Sequence, residues 1–156
     1  MPINRTQVKD ERGQALLEFA LLAPLIIIFL LAIVDFGIAL HTRIVLDNAA
    51  RDGARFASVG GHALSNGGTV ATAGEIVAYT MSQAQDAPDS VNVCYENANE
   101  NGALGDIGDN VKITVNYSYD FVTGFTSMID APGTIEMNPS ASARLERNAV
   151  SPTACT

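Results

Sequence analysis

Hydrophobic positions along the chain fall into distinct patterns. From Ala15 to Leu40 they are nearly continuous, and only Glu18 and Asp35 bring charge into the run. A spanning helix needs about 20 apolar residues rising about 1.5 Å each. The run meets that length and exceeds the roughly 7–15-residue core of a removable signal peptide. From His41 to Ala57 apolar residues become spaced, with Ile44, Val45, Ala49, Gly53, Phe56 and Ala57 set among Arg43, Asp47, Arg51 and Arg55. Asp47 precedes Arg51 by one helical turn, acid first, which is the favourable order for a helical pair. No proline lies between Leu25 and Ala87. The pattern therefore predicts one helix from about Gln14 to Ala57, about 65 Å long, stopped by Gly60 and Gly61. Pro24 predicts a kink or a melted turn, which lipid-embedded helices tolerate when neighbours satisfy the freed carbonyl. Ala50, Gly53, Ala54 and Ala57 share one face, which permits close approach of a neighbouring helix or of the chain's own sheet. Packing on its own domain is the plainer arrangement.

Beyond the helix the period shortens. Gly60–Gly68 reads as a loop, and Ala71–Gln85 as a second helix with Ile76, Val77, Tyr79 and Met81 as its apolar set and Pro88 past its end. Val91, Val93 and Tyr95 alternate with Asn92 and Cys94, and Val111, Ile113, Val115 and Tyr117 alternate with Lys112, Thr114, Asn116 and Ser118. That period of two marks half-buried strands. Glu96–Asn110, rich in Asn, Gly and acids, joins them as a long loop. Further strands are expected at Thr134–Met137 and Ser140–Leu145. The predicted class is α+β: a long N-terminal helix, membrane-spanning in its first half and exported in its second, packed on a small antiparallel β-sheet with a second short helix. Residues 1–13 read as a cytoplasmic leader, 14–40 as the transmembrane helix, and 41–156 as an exported domain that includes the helix extension.

Charge sets orientation and excludes a class of partner. The formal net charge of −8 and the lack of any basic patch argue against nucleic acid, whose binding requires a basic face. Arg5, Lys9 and Arg12 precede the apolar run, whereas its far end meets Asp35 with no base until Arg43. Orientation follows Lys and Arg and largely ignores acids, so the amino terminus is expected in the cytoplasm and the rest outside. Cys94 and Cys155 would then lie in an oxidising compartment and are expected to form one disulfide that ties the carboxyl-terminal tail back to the first strand, with two free thiols as the alternative.

No catalytic constellation emerges. Asp35-Phe36-Gly37 spells a kinase magnesium motif at a membrane edge with no catalytic loop elsewhere. His41 and His62 lack zinc-ligand spacing, and no serine sits in a nucleophile elbow. Glu96, Glu100, Asp106 and Asp109 do not match an EF-hand, so they read as a solvated acidic loop. The chain is expected to be no enzyme and to hold no metal or cofactor.

Glu18 is the exception that asks for chemistry. An ionised carboxylate inside a membrane-length helix is costly and seldom incidental. One bland account is a first-turn Glu favoured by the helix dipole and snorkelling to the interface. The other starts from Gly13, five residues upstream, a sterically open point where the chain can be cut to leave a new amine at Gln14. Gly13 followed at this distance by Glu18-Phe19 resembles the processing site of the Flp, or tight-adherence, branch of type IV pilins. Ile33-Val34-Asp35-Phe36-Gly37, Asn48-Ala49-Ala50-Arg51-Asp52-Gly53-Ala54-Arg55 and the closing Ala141-Ser142-Ala143-Arg144-Leu145-Glu146 are similar to the TadE-like family. The resemblance implies a minor pilin or pseudopilin of a type IVb pilus, cut between Gly13 and Gln14 by a prepilin peptidase of the bacterial inner membrane. It also implies assembly and register roles for Glu18 and Phe19. Expected partners are the peptidase, other pilin and minor-pilin subunits, the inner-membrane assembly platform and membrane lipid. The alternative is a permanently anchored single-pass envelope protein whose exported domain binds a ligand or an envelope partner. About a hundred residues beyond the membrane distinguish this chain from the short major Flp pilins and favour a minor subunit.

Overall fold

The computed structural model describes residues 10–61, 70–85 and 88–155, with the side chains of 10–12, 125 and 128 left aside. Residues 1–9 of the expected leader and residues 62–68 of the expected Gly-rich loop, His62 among them, lie outside the described residues. Helix α1 runs over Asp10–Ser58. It begins one turn before Gln14 and passes Pro24 as helix, so the expected melted turn does not occur. Gly60 and Gly61, both at positive φ, end it by offering the left-handed backbone that a helix stop uses.

Two compact units share this helix. One comprises α1 up to Ile38 together with Phe121–Gly133; the other comprises Ala39–Asp120 and the chain from Thr134 onward. In the first, large apolar side chains from Leu16 to Val34 are mostly 51–74% exposed. A helix that shows such residues on most of its circumference fits a membrane span. By length and composition it is the one membrane-crossing candidate among the described residues.

The second unit is an ordinary two-layer core. Ala39, Leu46, Ala49, Ala50, Ala54 and Ala57 bury one stripe of α1, and the small-residue face serves its own domain. Helix α2, Ala73–Gln83, starts in a capping box between Thr72 and Glu75 and buries Ile76 and Thr80, which satisfies two of the orphan amides of its first turn. Gly53 lies so close to α2 that an added Cβ would collide with Thr80 Oγ1 and stand 3.1 Å from Ile113 Cδ1. Phe56 of α1 stacks on Tyr79 of α2 at 4.1 Å between ring centroids.

Four strands form the sheet: β1 Ser90–Glu96, β2 Asn110–Asp120, β3 Thr134–Met137 and β4 Ser140–Arg144. All pairings are antiparallel, with Val93 opposite Ile113 between β1 and β2. β3 and β4 pair with successive stretches of β2, Tyr117 opposite Met137 and Thr114 opposite Ser140. These pairs share one register, so β3 and β4 lie end to end along the same side of β2. Pro139, which has no N–H, separates them, and its carbonyl still accepts from Val115 N at 2.9 Å. Val111, Ile113 and Val115 are fully buried and meet the α1 stripe in a single apolar cluster. Between β2 and β3 the chain forms a one-turn helix, α3, Phe125–Met128, which the sequence pattern does not predict.

Candidate functional site: the apolar helix, its carboxylates and the bridge

The proposed cut site lies within helical backbone. An added Cβ at Gly13 would meet nothing within 4 Å, so packing places no demand for glycine there. Glycine inside a helix is about 1 kcal/mol less favourable than alanine. Gln14 and Glu18 occupy the same face one turn apart, and Gln14 Nε2 donates to Glu18 Oε1 at 3.4 Å. Both are exposed, as is Phe19 at 67%. The carboxylate therefore stands on the surface of the apolar helix in the grip of a neutral amide.

Asp35, the second acid of the run, has the opposite environment. It is fully buried. Its Oδ1 accepts from Val122 N and Thr123 N, each at 3.2 Å, and its Oδ2 accepts from Thr123 N at 3.2 Å and from Thr123 Oγ1. The acid thus gathers the donors that open the segment between β2 and β3. Hydrogen bonding to the charged form is what makes a buried carboxylate tolerable. Local sequence reading sees Asp35 only as the end of the apolar run. An acid inside such a run is itself the signal that a partner exists, but its partners lie 87 and 88 residues away.

Asp109 corrects the expectation of a solvated acidic loop. Its side chain is fully buried, with Oδ1 accepting from Ala98 N and Asn99 N and Oδ2 from Gly105 N and Asp106 N. The carboxylate organises the loop between β1 and β2 as an internal hub. Glu96 pairs instead with Lys112 at 3.9 Å on the surface, an exposed contact of small energetic weight. No group of three or more His, Cys, Asp or Glu among the described residues could hold a metal ion.

Cys94 and Cys155 are joined by a disulfide across 61 positions. Beside it the chain around Ala154 makes a parallel bridge to Tyr95, with Tyr95 N donating to Thr153 O at 2.9 Å and Cys155 N to Tyr95 O at 3.2 Å. Burial raises the Tyr95 phenol above its ordinary pKa of 10.0.

No curated protein and no solved structure matches the chain. The family model of TadE-like proteins matches residues 13–55, a stretch that begins at Gly13 and ends three residues before α1 does. That family is one of pilus components rather than enzymes. The resemblance to TadE-like proteins thus holds over the apolar helix and its buried continuation, and it points to a protein associated with the tight-adherence pilus.

Proposed function

We propose that this chain is a minor pilin or pseudopilin of a type IVb, tight-adherence pilus. A prepilin peptidase cuts it after Gly13, Gln14–Leu40 holds it in the inner membrane with its carboxyl-terminal domain exported, and it joins other pilin subunits on the inner-membrane assembly platform. Glu18 carries the reading: an exposed carboxylate at the head of an apolar helix, one turn from the residue whose amine the cut would free. In apolar surroundings an ammonium of a neighbouring subunit neutralises it. Such a pair adds little net stability but makes wrong register costly, because a misplaced subunit leaves a charge unpaired.

Gly13 supports the cut. Its helical neighbourhood must unwind to enter a peptidase, and glycine is the residue that extends most readily. The Cys94–Cys155 bridge supports export, since disulfides persist in oxidising compartments.

Intact mass of the protein purified from cells with and without the peptidase tests the processing step. A new terminus at Gln14 is expected only with the peptidase. A chain that keeps Met1–Gly13 in both strains would instead assign a permanently anchored envelope protein. Gly13→Leu should accumulate as precursor, and normal-sized mature protein would exclude this cut site. Glu18→Ala should insert and be shortened normally yet fail to build pili, with Glu18→Asp intermediate. Wild-type piliation in Glu18→Ala would return Glu18 to simple snorkelling.

A further inference from the structure

The segment joining β2 to β3 is grouped with the apolar helix and not with the sheet that it connects. Residues Phe121–Ile129 carry no charge, yet Asp120 and Asp130 bracket them directly. Val122 and Ile129 are 70% and 56% exposed. Phe121 lines an open apolar groove with Phe29, Ala32, Ile33 and Phe36 of α1. Phe29 lies five residues before Val34, about 7 Å along the helix axis, within the stretch that α1 exposes to lipid.

The backbone of this segment is partly closed on itself. Phe121 N donates to Gly133 O, Ser127 N to Gly124 O, and both Ile129 N and Ala131 N to Thr126 O. Val122 N and Thr123 N donate to Asp35. A loop in water has no need of such closure, because solvent satisfies its amides. Inside a bilayer irregular backbone is tolerated only where its polar groups find partners within the protein. Asp35 is tolerable at the same depth for the same reason, since the loop supplies its donors.

We propose that residues 121–129 are a second membrane contact, a short loop lying in the outer part of the bilayer beside α1, with Asp35 as its tether and lipid acyl chains against Val122 and Ile129. The choice of lipid over a protein partner rests on continuity: the groove wall is formed by the same helix turns whose other faces are exposed apolar surface. The inference depends on α1 crossing a bilayer, and its test separates the two ideas.

Full-length protein is reconstituted into vesicles of phosphatidylethanolamine and phosphatidylglycerol with one spin label per sample, at Leu25→Cys, Val122→Cys, Ile129→Cys or Ser142→Cys. The native cysteines are bonded to each other and do not compete for label. Accessibility to oxygen, which concentrates in lipid, is compared with accessibility to a water-soluble nickel chelate. Labels at Val122 and Ile129 should favour oxygen as the Leu25 label does, and the Ser142 label should favour the chelate. Chelate-accessible Val122 and Ile129 labels beside a lipid-exposed Leu25 label would overturn the loop while leaving the membrane helix intact. Labels shielded from both reagents would overturn it in favour of a protein contact. A chelate-accessible Leu25 label would overturn both ideas. In Asp35→Ala the Val122 label should shift toward the chelate with Leu25 unchanged, and an unmoved Val122 label would overturn the tether.

Discussion

One helix is built by two different rules on either side of Ile38. Before it, large side chains such as Leu16, Leu21 and Phe29 stand in the open; after it, Leu46, Ala49, Ala50 and Ala54 are buried almost completely. The first stretch is bulky and chemically uniform, suited to a solvent of acyl chains that packs against any apolar shape. The second is small and specific, because a sheet and a second helix must approach it closely. The hydrophobic pattern, continuous before and spaced after, marks where the rule changes but does not say what covers each stretch. Side-chain volume does, and the glycines show it: Gly37 has nothing within 4 Å of an added Cβ, whereas Gly53 has no room for one.

The largest effect that would sharpen this contrast is loss of the disulfide. Cys94→Ser with Cys155→Ser releases a loop of 61 residues and should cost the sheet-containing domain about 4 kcal/mol. Denaturant unfolding in micelles, followed by near-ultraviolet circular dichroism, should show the domain transition move while the helical signal of the apolar stretch persists. Next in size, Leu46→Ala should destabilise that transition by about 3 kcal/mol. Leu30→Ala, at a 56% exposed position, should leave it in place; equal effects would break the comparison. Gly53→Ala should cost about 1–3 kcal/mol by overpacking, partly relieved by adding Thr80→Ala, because Thr80 Oγ1 is the atom struck. Gly37→Ala should do the reverse and stabilise the helix by about 0.5–1 kcal/mol, read as a small rise in thermal midpoint. The smallest effect is alkaline. The Tyr95 phenol is raised above 10.0 by burial, so its contribution is complete below pH 10.0 and is lost as pH rises through the higher folded value. Tyr95→Phe should flatten that alkaline limb of the stability profile.

Much of the architecture was legible because it is local. The strict alternation of Val111, Ile113 and Val115 announced β2, and the unbroken run after Ala15 announced a membrane-length helix. The small face at Ala50, Gly53, Ala54 and Ala57 announced close packing, and all four sit against the domain's own core. What stayed hidden depends on partners distant in sequence. Asp109 looks like a surface acid, and Asp35 like the mere end of an apolar run, until loop amides are brought to them, and no periodicity records that approach. α3 is a single turn, too short to leave a periodic trace. The helix start at Asp10 rather than near Gln14 reflects how little sequence distinguishes a polar first turn from a polar tail. At the candidate site, the residue types at Gly13 and Glu18 were readable, but the direct amide contact from Gln14 to Glu18 emerges only from the fold.

The bridge between Tyr95 and the chain around Ala154 has a consequence for aggregation. β1 borders the sheet, and Val91, Val93 and Tyr95 make it an attractive template for an incoming strand. The covalently held tail occupies part of that border, donating to and accepting from Tyr95, and so denies it to other chains. Reduction would therefore do more than loosen the domain. It would expose an adhesive strand, and the damage would grow with protein concentration, as it does whenever sheets recruit one another side to side.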